Sequence, residues 1–151
     1  MDKLDKQILN ILQQDYPLHT NPYGVMADEL GISEDEVLAR ISQLKEQGII
    51  RRIGAILDAR NMGFYSTLCA ASVPEARINE VAAIINQCEG VTHNYVRDHQ
   101  LNIWFTLTAA SPDQAMEILE LIEERADIKV HSMPAKKLYK IKVALEMGET
   151  L

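Results

Sequence analysis

Cysteine is nearly absent: the chain of 151 residues carries only Cys69 and Cys88. They stand far apart and form no CxxC pair. That argues against a disulfide scaffold or a thiolate metal pair, and both read as buried free thiols of a reducing compartment. No apolar run approaches the roughly 20 residues that cross a bilayer. No charged-then-apolar leader opens the chain either, since Met1-Asp2-Lys3-Leu4-Asp5 runs straight into a helical pattern. A cytoplasmic protein with no membrane attachment is expected. Basic residues are outnumbered, with 15 Lys and Arg against 22 Asp and Glu and a formal charge of −7. Such a chain is a poor default partner for nucleic acid unless a local basic face exists. Internal repeats and low-complexity segments are missing as well.

What is present reads as two small domains. Hydrophobic residues make up 47% and charged residues 25%, ordinary for a globular protein. Leu4, Ile8, Leu9, Ile11 and Leu12 recur at helical spacing up to Asp15. A proline-bearing loop, "YPLHTNPYG", spans Tyr16–Gly24, and a short helix covers Val25–Leu30. Gly31 ends it. Ser33, with Glu36 three residues on, predicts a capping box for a third helix whose stripe is Val37, Leu38, Ile41 and Leu44. Gly48 is its stop. Helix, short turn with glycine, helix is the helix-turn-helix pattern. "GIIRRIGAILD" then leaves as an extended linker strand, which places the first, winged-helix-like domain at residues 1–60.

Residues 61–151 alternate elements. Strands are expected over Ser66–Val73, the two arms of a hairpin from Val91 to Thr108, Asp127–Ser132 and Lys136–Leu145. Helices are expected over Glu75–Cys88 and from Ser111 to Glu124. The order β-α-β-β-α-β is that of a ferredoxin-like fold, so the class is α+β.

The hairpin "THNYVRDHQLNIWF" carries the chemistry. His93, Tyr95 and Arg97 occupy alternate positions and share one strand face; His99 follows at the tip. Arg97 can pair a carboxylate bidentately. His93 or His99 can supply a proton near neutral pH, and Tyr95 can pack against a ring or donate its hydroxyl. On the second arm Ile103, Phe105 and Leu107 read as core. Trp104 alternates with Asn102 and Thr106, which points to a face covered by a partner. Arg51 and Arg52 sit where the chain leaves the helices; they read equally as anion binders or as solvated cations closing a helix C-terminus. His19 and His131 have no local company and read as structural residues.

"LDKQILNILQQD" and "VLARISQLKEQGII", followed by the βαββαβ pattern, resemble the Lrp/AsnC family of DNA-binding, amino-acid-sensing regulators. Two departures stand out. The would-be recognition helix opens Ser33-Glu34-Asp35-Glu36, acidic where a DNA reader approaches phosphates. The hairpin tip is Arg97-Asp98-His99-Gln100 instead of a Gly-x-x-Asp-type effector signature. "YPLHTNPYG", "GIIRRIGAILD", "MGFYSTLCA", "VTHNYVRDHQLNIWFTL" and "MPAKKLYKIKV", in order along the chain, are more closely similar to sirohaem decarboxylase subunits.

That resemblance implies removal of carbon dioxide from two acetate side chains of sirohaem, giving didecarboxysirohaem, with the helix-turn-helix kept as scaffold and DNA not the partner. It implies a carboxy-lyase whose only iron tetrapyrrole is its substrate, with no further cofactor. His93 is the favoured acid and His99 its alternate; either is a candidate axial ligand of the substrate iron. Arg51, Arg52 and Arg97 are the carboxylate clamps, with Tyr95 also binding substrate. A homologous partner subunit is implied, as a heterodimer, with a homodimer as the variant. The competing readings are an Lrp/AsnC-type ligand-sensing regulator and a non-catalytic subunit that completes another chain's site.

Overall fold

Asp2 starts the first helix by exchanging caps with Asp5. Asp5 N donates to Asp2 Oδ1 at 2.9 Å and Asp2 N donates to Asp5 Oδ2 at 2.8 Å, which satisfies two of the backbone donors that open α1 (Lys3–Gln14). The second helix, α2 (Pro22–Leu30), starts at Pro22 and not at Val25, because Asn21 caps Gly24 N and proline is preorganised for the first helical position. The third, α3 (Glu34–Glu46), forms only half of the capping box predicted for Ser33 and Glu36. Ser33 Oγ accepts Glu36 N at 3.2 Å, but the Glu36 carboxylate turns along the helix to Arg40. Ile8, Met26, Val37, Ile41 and Leu44 fill the core between the three helices.

The computed structural model describes residues 1–142, 144–145 and 147–148. It divides into two compact units: Met1–Ala55 with the chain from Lys140 onward, and Ile56–Tyr139. The predicted strand over Lys136–Leu145 is not seen among its described residues, and Val143 lies outside them. Side-chain amides of α1 take up the backbone groups that a strand partner would otherwise satisfy. Gln13 accepts from Leu145 N at 2.9 Å and donates to Leu145 O at 3.2 Å. Asn10 accepts from Met147 N at 3.1 Å and donates to its carbonyl at 3.5 Å. Lys6 Nζ donates to Gly148 O at 3.0 Å, and Met147 packs on the helical core. Residues 48–58, expected as an extended linker strand, join no ladder among the described residues.

Arg40 ties the helical unit together, at 2.8 Å from Asp2 and from Asp5 and 3.1 Å from Glu36. The Asp5 amide and the Arg40 guanidinium hold the Asp2 carboxyl below its ordinary value of 3.8. A carboxylate depressed in the folded state contributes stability above its unfolded pKa and loses it as pH falls through the folded one. An Arg40→Ala chain is therefore expected to melt below wild type at neutral pH, with the gap narrowing as the pH falls below 3.8. Thermal melts across that range would check this; a gap that does not change with pH would show the ion pairs to be inert.

The second unit is a four-stranded sheet with both helices on one face. Its elements run β1 (Tyr65–Ala71), α4 (Ile78–Asn86), β2 (Val91–Val96), β3 (Ile103–Ala109), α5 (Pro112–Ala126) and β4 (Val130–Met133), with a 3-10 turn at Glu75–Arg77 ahead of α4. The strand order is β2-β3-β1-β4 and every neighbouring pair is antiparallel. This is the ferredoxin-like βαββαβ arrangement. Cys69, Ile103, Phe105 and Leu107 point from the sheet to Val81, Ile85, Leu119 and Ile122 of the helices. Both cysteines are free thiols, and burial pushes that of Cys69 up to about 11. Among the described residues no helix is long and apolar enough to cross a membrane.

Candidate functional site

The sheet face turned away from the helices collects the hairpin's reactive side chains. Directly opposed residues of an antiparallel pair share a face, so the register reads across it in two rows. One row is Tyr95, Trp104, Ala70 and His131; the other is His93, Thr106, Leu68 and Met133. A bulge between Val91 and His93 sets the phase of the first arm. The His93 and Tyr95 rings lie stacked with centroids 6.1 Å apart. Asn94, one residue out of phase, turns to the helix side and bonds Ala82 O and Asn86 Oδ1.

Arg97 lies just past the end of β2, yet it stays with this face, because its guanidinium sits 5.4 Å from the Trp104 ring centroid. The indole is fixed in turn by its N–H, which donates to Leu101 O at 2.7 Å. Trp104 is thus a platform that holds a cation, on the face the sequence pattern had marked as partner-facing. Asn102 anchors the base of the tip: its amide accepts from Val73 N at 2.9 Å and donates to Val73 O at 2.8 Å. Arg97, Asp98, His99 and Trp104 surround an open concavity of about 560 Å³. No carboxylate pairs with Arg97 among the described residues, and Tyr95 is 50% exposed. The arrangement can hold an anionic, flat molecule: a cation for its charge, aromatic surface for its plane and imidazole for proton transfer.

His131 joins this face, in the row of Tyr95 and Trp104, although it has no useful neighbours in the sequence. Leu68 and Met133, 42% and 39% exposed, add apolar surface beside it. Only the β1–β4 register brings them there. Arg51 and Arg52 belong to the other unit, on its exposed segment before Ala55, and neither pairs with a carboxylate among the described residues.

A helix-turn-helix unit followed by this sheet defines the class. Residues 61–140 match the model of the AsnC-like ligand binding domain. Residues 5–51 match that of the siroheme decarboxylase NirDL-like HTH domain. The siroheme decarboxylase alpha subunit of Nitratidesulfovibrio vulgaris is 47% identical over 97% of this chain and 84% of its own length. The siroheme decarboxylase NirG subunit of Pseudomonas aeruginosa is 37% identical over 93% and 96%. A crystal structure of the siroheme decarboxylase NirDL in co-complex with an iron-uroporphyrin III analogue matches with a TM-score of 0.67 and 37% identity; it covers 94% of this chain, which spans 47% of the length of NirDL. The chain belongs to the siroheme decarboxylase family.

Proposed function

We propose that this chain is a subunit of a sirohaem decarboxylase, acting as a carboxy-lyase on two acetate side chains of sirohaem. The observation that carries the reading is the outer sheet face, where Arg97, with no carboxylate partner among the described residues, is held over Trp104 beside His93 and Tyr95. A tetrapyrrole edged with carboxylates needs that combination of charge, plane and proton source. Arg51, Arg52 and Arg97 bind substrate carboxylates, Tyr95 contacts the ring, and His93 is the acid. The substrate brings the only iron tetrapyrrole, and no other cofactor takes part.

The chemistry balances with protons alone. A proton added to the ring carbon next to the acetate-bearing one makes the macrocycle an electron sink. The electron pair of the bond to the departing carbon dioxide then forms an exocyclic double bond. A proton on that methylene and loss of the first ring proton leave a methyl group, so each carbon dioxide released consumes one proton.

Anaerobic incubation with sirohaem, with and without a homologous subunit, tests the reading. Mass spectrometry of the pigment is expected to show the loss of two carboxyl groups. Unchanged pigment, together with nanomolar, steeply salt-dependent binding to a specific DNA sequence, would restore the regulator reading. Glu34, Asp35 and Glu36 in the first turn of α3 speak against that outcome.

The same face suits a partner. Leu68, Tyr95 and Met133 are exposed on it around the polar groups, and a sheet seldom leaves a half-apolar face wet. The relative from Nitratidesulfovibrio vulgaris is named an alpha subunit. The partner is a homologous subunit, paired sheet to sheet in a heterodimer. Light scattering should find a dimer with that subunit, its interface burying more than about 1,000 Å². A fully active monomer would contradict this, and a fully active homodimer would reject only the choice of a non-identical partner.

A further inference from the structure

The two hairpin histidines differ in what holds their inner ring nitrogen. At the tip, Leu101 N donates to His99 Nδ1 at 3.0 Å. A backbone amide can only donate, so Nδ1 turns a lone pair inward and the single N–H of the neutral ring sits on Nε2. The tip is closed around this bond: His99 N donates to Arg97 O at 3.0 Å, and Arg97 N to Asn102 O at 2.8 Å. A second ring proton, on Nδ1, would face the Leu101 N–H donor to donor. His93 is held differently. Its Nδ1 lies 3.0 Å from Thr92 Oγ1, a hydroxyl that donates or accepts, so both tautomers and the imidazolium fit there.

We infer that His99 serves as a neutral hydrogen-bond donor, presenting Nε2–H to a substrate carboxylate beside Arg97, and is neither an axial ligand of the tetrapyrrole iron nor the proton-donating acid. Ligation needs a free nitrogen lone pair. At His99 the lone pair is spent on Leu101, and the outward nitrogen carries a proton. Of the two hairpin imidazoles, His93 alone keeps both options. The role toward substrate rests on the reading above; the tautomer does not.

Labelling the histidines of the full apo-chain with nitrogen-15 reads the tautomer directly. Long-range proton–nitrogen correlation spectra at neutral pH are expected to show His99 protonated at Nε2 and bare at Nδ1. The opposite tautomer, or a doubly protonated ring, overturns the inference even if the chain takes up no pigment. With sirohaem, His99→Leu should weaken binding by about 10- to 100-fold, the scale of a hydrogen bond to a charged group. His99→Gln returns an N–H near the former Nε2 and should bind within about threefold of wild type. Both variants should keep the wild-type spin state in absorption and electron paramagnetic resonance spectra. A changed spin state in His99→Gln would make His99 an iron ligand and refute the assignment. Wild-type chain that binds no sirohaem, alone or with the homologous subunit, would count against the proposed function, and the apo-spectra would still decide the tautomer.

Discussion

An Arg97→Ala chain is expected to bind sirohaem about 10- to 100-fold more weakly, the loss set by a charge-assisted contact to a carboxylate. Its apo-form should melt within a few degrees of wild type, because the stack on Trp104 is exposed and worth only about 0.5–1 kcal/mol. The separation of the two effects is the point of the experiment. A residue that merely propped up the hairpin would cost stability and affinity together. Arg97→Lys keeps the charge but loses the planar fork and the ring stack, so it should fall between the two. Pigment titration beside thermal melts of the apo-chain checks both halves. An alanine variant that binds like wild type would end the clamp assignment at this position.

Phe105→Ala should cost about 3–5 kcal/mol, the range for emptying a buried phenylalanine site. Phe105 is 1% exposed and stands on an inner strand of the sheet, against the cluster that both helices share. A domain of this size holds about 5–15 kcal/mol in all, so the loss takes a large share of that stability and, at the low end of the range, nearly all of it. The damage should reach the opposite face, because Trp104 and Thr106 flank Phe105 on the same strand and Arg97 rests on the indole. Denaturant unfolding gives the energy, and tryptophan emission reports on the platform. A loss under about 1 kcal/mol would mean that neighbouring side chains collapse into the space.

Much of this was legible along the chain. The helical stripe of Val37, Leu38, Ile41 and Leu44 and the alternation of Ile103, Phe105 and Leu107 are local signals, and all of these but Leu38, which is 39% exposed, are buried. The pairing of His93 and Tyr95 on one face followed from the two-residue period alone. What failed to read locally depends on partners distant in sequence. The Ser33–Glu36 box looked complete until Arg40 drew the carboxylate away. The true reciprocal cap, at Asp2 and Asp5, lacks the Ser/Thr-to-Glu spelling. His131 looked solitary because its row with Tyr95 and Trp104 is set by strand pairing across the whole unit. The "MPAKKLYKIKV" stretch alternates like a strand, but the amides of Asn10 and Gln13 capture the residues that follow it. Its strand-like pattern carried no hint of an acceptor more than 130 residues away.

The clasp of Leu145 and Met147 by α1 makes the helical unit discontinuous in sequence, with the whole ferredoxin-like unit inserted between its pieces. Synthesis therefore runs out of step with assembly. The three helices emerge first, yet the segment that finishes their unit follows β4. Closing so long a loop has an entropic cost that grows only with the logarithm of its length, and prior folding of the insert shortens the span that remains to be searched. The helical unit would acquire its last hydrogen bonds late in folding, and damage near Leu145 would be felt in α1, 132 residues earlier.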